Sequence, residues 1–215
     1  ALDREFGWEE GDGKDYKIQY FSDTSEPLTS CAKGETDICF AFPEAREIAE
    51  SQGLVYLYPL SQVEKDYVCC RQAANGTFFR NNTEAIKAYI KSNIEAYKVY
   101  HFEEEKVVPM MAKMSNQEEE YIRSHWYDKE LSQDVEYLPD PNYNGTYGYY
   151  KALIKAGLLE TTRPLDDFFD IDLYAQTLKE VIAENPGDSF YESMWDYFIE
   201  HNNLYPDFEK KYGSL

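Results

Sequence analysis

The run Leu28–Pro43, LTSCAKGETDICFAFP, constrains the fold of this chain more than any other segment. A short amphipathic stretch runs into Gly34, and an apolar run then stops at Pro43. Ile38, Phe40 and Phe42 alternate with Cys39 and Ala41, the period-two pattern of a half-buried strand. Read this way, a helix crosses into a strand whose carboxyl end empties into a loop. Ligands of open α/β sheets sit outside such strand ends. The segment therefore suggests a ligand-holding domain.

The neighbouring pattern extends that reading. Asp15–Phe21 alternates as a strand, Thr24–Lys33 reads as a helix with Pro27 in its first turn, and Thr36–Phe42 is the next strand. Pro43–Gln52 is a helix closed by Gly53, Leu54–Tyr58 a third strand and Asp66–Gln72 a fourth. Leu2–Phe6 reads as a helix end, followed by a turn at Gly11–Gly13. Strands alternating with helices predict βαβ crossovers and a short, mostly parallel sheet. From Asn82 the pattern turns helical. Thr83–Phe102 sets Ile86, Tyr89, Ile90, Ile94 and Tyr97 on one face. Helices follow over Val107–Met114, from Ser115 to about Trp126, and over Asn142–Ala156, Asp170–Glu184 and Asp188–Asn202. The expected fold class is thus α/β, with an α/β lobe over 1–80 and an all-helical C-terminal portion over 81–215.

Charge narrows the partners. A net charge of −20 over 215 residues repels phosphate backbones and anionic lipid, which argues against nucleic-acid binding. No apolar run approaches the roughly 20 residues that span a bilayer. An opening at Ala1-Leu2-Asp3 inside an element suggests a processed or truncated protein. Cys31, Cys39, Cys69 and Cys70 lack paired C-x-x-C spacing, so zinc is not expected. They read as buried free thiols, with a Cys31–Cys39 or other bridge as the alternative.

Catalytic and metal sites are not expected. His101, His125 and His201 lie on separate helices without metal-ligand spacing, and no phosphate-binding loop or nucleophile elbow occurs. Glu103–Glu105 and Glu118–Glu120 read as solvated helix faces and lack a calcium loop's alternating ligands. Tyr143, Tyr147, Tyr149 and Tyr150, beside Gly145 and Gly148, read as helix packing or as an interface patch. Asn75, Asn81 and Asn144 lie in sequons, which matter only in a eukaryotic secretory pathway.

Several motifs occur in an order that resembles one known family. They are Tyr16–Phe21, Glu26–Lys33, Gly34-Glu35-x-Asp37 leading into Ile38–Pro43, and Gly53-Leu54-Val55. Asp66–Gln72, Asn81–Tyr89, Lys155–Leu159 and Asp170–Asp172 continue the series. The set resembles the periplasmic-binding-protein-like class II proteins of the nitrate/sulfonate/taurine and thiamine-precursor type, aligned from the second lobe onward. The resemblance implies a non-enzymatic, extracytoplasmic solute-binding component of an ABC importer, without a cofactor. Its partners would be a small organic solute and the membrane permease, with peripheral membrane association through an anchor that this sequence does not contain. It places the ligand site at the ends of Tyr16–Phe21 and Ile38–Phe42, on Ser22, Asp23, Phe40, Phe42, Pro43 and Glu44. Each has a plainer role: Ser22 and Asp23 in a turn before a helix, the phenylalanines in core packing, and Glu44 facing a helix dipole. The alternatives are a thiamine-pyrimidine biosynthesis enzyme of the same fold and a helical interaction module.

Overall fold

A computed structural model describes residues 6–23, 25–42, 45–63, 68, 70–128 and 137–213. Helices are their principal regular elements: α1 Glu26–Ala32, α2 Arg46–Ser51, α3 Leu60–Val63, α4 Gly76–Asn81, α5 Thr83–Phe102 and α6 Glu104–Ser115. They continue as α7 Glu119–Trp126, α8 Tyr143–Lys155, α9 Asp172–Glu184, α10 Ser189–Asn202 and α11 Phe208–Tyr212, with a 3-10 turn at Leu165–Asp167. No strand occurs among the described residues, and the one ladder contact is an isolated bridge between Glu10 and Tyr16.

That overturns the α/β expectation and the resemblance to the periplasmic-binding-protein-like class II fold. The segments 15–21, 36–42 and 54–58 form no strands. Of Asp66–Gln72, Val68 and residues 70–72 are not in a strand, and the others lie outside the described residues. Alternation shows only that a segment can present one apolar face. A strand also needs a neighbour to pair its amides and carbonyls, and among the described residues these runs have only the isolated bridge at Tyr16. Their apolar side chains face outward, with Phe40 73%, Val55 80% and Leu57 62% exposed. A run of five to seven residues does not settle its own period.

The chain divides into two compact units. The first comprises Ala1–Glu64 and Gln117–Val135, and holds α1, α2, α3 and α7. Gly34, at φ +73°, lets the chain turn back after α1, with its amide bonded to the Cys31 carbonyl at 3.0 Å and the Glu35 amide to that of Ser30 at 2.9 Å.

The second unit comprises Lys65–Asn116 and Glu136–Leu215 and contains the main core. Here α9 packs on α5 and α10, α10 on α8, and α5 on α6 and α4. Leu178, Val181, Phe198 and Ile94 are fully buried, with Trp195 and Met194 at 2% exposure. Each such side chain contributes about 1.5–3 kcal/mol relative to exposure, so this cluster dominates the unit's stability. Helix α5 spans the expected 83–102 and turns Ile90, Ile94 and Tyr97 inward. Tyr89, expected on the same face, is 54% exposed. Pro109 lies inside α6 rather than breaking it; the helix continues with one amide donor fewer. The helix expected from Ser115 starts only after Glu118, as α7, without a side-chain cap.

Charged pairs bind α5 to its neighbours. Lys87 reaches Glu180 at 2.7 Å, Lys91 reaches Glu184, and Lys98 reaches Asp188. Asp188 also caps α10 by accepting the Phe190 amide at 3.1 Å.

Candidate functional site: an acidic depression between α10 and α11

Helix α10 ends at Asn202, and the chain turns through residues 203–207 into the short α11. Asp207, at φ +57°, takes the left-handed conformation that redirects the backbone. Phe208 and Tyr212 then fold back on α10, with ring centroids 5.7 Å and 5.3 Å from Phe198. Tyr212 also lies edge-on to Trp195 at 6.4 Å, and its hydroxyl donates to Asp172. Burial and that acceptor push the Tyr212 phenol well above its ordinary range.

The re-entrant turn leaves a solvent-open depression of about 410 Å³. Its floor is aromatic, from Trp195, Phe208 and Tyr212, and its rim carries Asp196, Glu200 and Glu209. Among the described residues these rim carboxylates have no cationic partner, although α11 itself bears Lys210 and Lys211. Lys211 instead pairs with Asp172 at 2.7 Å and lies over the Tyr205 ring. Lys179, which does not line the depression, lies 4.6 Å from the Trp195 ring centroid. Three carboxylates around buried rings suit a positively charged group carried on an apolar stem.

A second polar feature fixes the far end of α10. Asn202, fully buried, donates to Asp140 Oδ1 at 2.9 Å and to the Phe198 carbonyl at 3.0 Å. Its Oδ1 accepts the Tyr143 amide at 2.8 Å. Asp140 Oδ1 also accepts the Asn142 amide at 2.7 Å, while Asn142, at φ +47°, caps α8 through the Gly145 amide at 2.9 Å. Asp140 Oδ2 and the Tyr174 hydroxyl are buried without hydrogen-bond partners among the described residues. Burial raises the Asp140 carboxyl to about 6, against the opposing pull of Asn202, Asn142, His201 and Arg71.

The residues expected to hold a ligand lie elsewhere. Ser22 and Asp23 are exposed in unit 1, where Asp23 Oδ1 accepts the Ser25 amide at 2.8 Å in a local turn. That contact and the Ser25 hydroxyl lower the Asp23 carboxyl. Phe40 and Phe42 are 73% and 57% exposed on a loop. Among the described residues, no hydrogen bond or ring contact joins Ser22 or Asp23 to either phenylalanine. Pro43 and Glu44 lie outside the described residues.

The histidines are engaged in packing. Each follows a tyrosine by four residues: Tyr97 lies edge-on to His101 at 4.5 Å, while Tyr121 and Tyr197 stack on His125 and His201 at 4.0 and 3.7 Å. Among the described residues no cluster could hold a metal ion, and no helix is long and apolar enough to cross a membrane. Asn144, in a sequon, is occupied by the Asn203 side chain and the Leu204 amide at 3.0 Å each. Tyr143 stacks on Tyr147 inside the core, so that part of the tyrosine patch is packing, whereas Tyr149 is 54% exposed.

The sequence reading missed the depression because its last helix ended at Asn202 and it assigned no element to residues 203–213. The signal available was the spacing of Asp196 and Glu200 on one helical face, followed by the aromatic pair Phe208 and Tyr212 at the same four-residue interval. Comparison with models of protein families, with curated proteins and with solved structures returned no match.

Proposed function

We propose that this chain is a helical interaction module whose α10–α11 depression holds a basic segment of a partner protein. The observation that carries the reading is the set of carboxylates, Asp196, Glu200 and Glu209, without a cationic partner among the described residues, around the buried Trp195, Phe208 and Tyr212. A guanidinium suits such a place: it stacks on aromatic faces and donates in a fork to carboxylates. The net charge of −20 would steer a cationic partner towards the module and make association fall with salt. Solute capture between two α/β lobes loses the fold on which it rested.

Fluorescence anisotropy with an arginine-rich peptide tests the reading, beside a scrambled acidic peptide and a panel of sulfonates, amines, pyrimidines and vitamins. Saturable binding of the basic peptide, weakened by Asp196→Asn with Glu200→Gln, supports it. Tight binding of a panel compound with no response to the peptide would return the chain to small-molecule capture. Turnover of a panel compound would make it an enzyme.

A further inference from the structure

We propose that Cys31 and Cys39 form a paired thiol site that closes to an intramolecular disulfide by exchange with a small disulfide of the oxidised-glutathione class. This proposal is independent of the interaction reading and lies wholly within the first unit. Cys31 sits in the last turn of α1, and Cys39 follows the reversal at Gly34. The amides of Gly34 and Glu35 bond back to α1, which returns the chain alongside the helix it has left. Cys31 Sγ lies 3.8 Å from the Asp37 carbonyl, so it already faces the strand of chain that carries Cys39. Cys31 is close enough to Cys39 to help burial raise its thiol. Both are free and half-buried, so a small reagent can reach them.

The chemistry balances without any further reactant. The Cys31 thiolate attacks one sulfur of the small disulfide, forming a mixed disulfide and releasing one small thiolate. Cys39 then loses its proton to solvent and attacks the Cys31 sulfur, expelling the second small thiolate. The protein loses two protons and two electrons, and the small disulfide takes up two electrons and two protons to become two thiols. Burial and the neighbouring Cys31 raise the Cys39 thiol, so the second step quickens with pH. The product would fasten the last turn of α1 to the 37–39 loop.

The test uses the full chain with Cys69→Ser and Cys70→Ser, which leaves Cys31 and Cys39 as its only thiols. After incubation with oxidised glutathione at pH 8, intact mass and peptide mapping read the result. Loss of two hydrogens with a Cys31–Cys39 crosslink is expected, and closure should run about tenfold or more faster in the folded chain than in urea. The Cys39→Ser variant should instead retain one glutathionyl group on Cys31. A stable glutathionyl group on each thiol, two unmodified thiols, or equal closure rates in urea and buffer would each overturn the proposal.

Discussion

Asn202, the last residue of α10, accepts the backbone amide of Tyr143 through Oδ1 at 2.8 Å and so joins the start of α8 to the end of α10. The same side chain donates to Asp140, which in turn holds the Asn142 amide. One buried amide thus satisfies backbone groups that helix ends leave open. Asn202→Ala would leave these groups without partners in an environment that water does not reach. We expect a loss of about 3 kcal/mol in urea unfolding. A change below about 0.5 kcal/mol, the level of an ordinary surface substitution, would contradict this assignment.

Asp140 gives the fold a pH dependence of unusual sign for a carboxylate. Its folded value of about 6 exceeds its ordinary 3.8, so the folded chain binds this proton more tightly than the unfolded chain does. Its contribution to stability is therefore complete below about pH 4 and is lost as pH rises through about 6. The difference corresponds to at most about 3 kcal/mol. The groups facing it are Asn202, His201, Arg71 and Tyr174, so the wild type must be compared with Asp140→Asn over the same pH range. The variant should be the more stable protein at pH 7.5, with the gap closing towards pH 4. A gap independent of pH would refute the buried-carboxyl account.

Lys98 and Asp188 predict the opposite acid response. Their pairing lowers the Asp188 carboxyl and raises the Lys98 ammonium. The stability carried by Asp188 is thus present above its ordinary range and lost as pH falls through its lowered folded value. Asp188→Ala removes both the pair and the α10 cap, whereas Asp188→Asn keeps a capping oxygen. Thermal melts at pH 7 should show a fall of a few degrees in Tm for the alanine variant and a smaller one for asparagine. Equal melting of all three proteins would show that the cap contributes nothing.

The rim of the depression predicts a charge effect separable from stability. Asp196, Glu200 and Glu209 are exposed, so Glu200→Lys with Glu209→Lys should melt within a few degrees of wild type while losing peptide binding at least tenfold. The same double reversal on Glu103 and Glu104, away from the depression, changes net charge equally. If it weakens binding as much, the attraction is diffuse and not local.

The helical half of the fold was legible because its signals are long. The apolar positions over 83–102 and the helical pattern over 188–202 each run for several turns, and α5 and α10 fall where they predict. The 1–80 region offered only short alternating runs between glycines, where extended loop and buried strand look alike. Phe40 and Phe42 show the cost: apolar alternation read them as part of a strand, whereas they stand on a loop with most of their rings in solvent. The depression was hidden for another reason. It depends on the re-entrant turn at Asp207, whose left-handed backbone no local pattern announces, so its aromatic floor and acidic rim meet only in three dimensions.

Titration of the 15N-labelled chain with an arginine-rich peptide, followed by amide and indole chemical shifts, tests the central claim most directly. The account predicts saturable shifts concentrated at the Trp195 indole and the amides of Asp196, Glu200, Asn203 and Glu209. Small, unsaturating shifts spread over every acidic surface of the chain would contradict it.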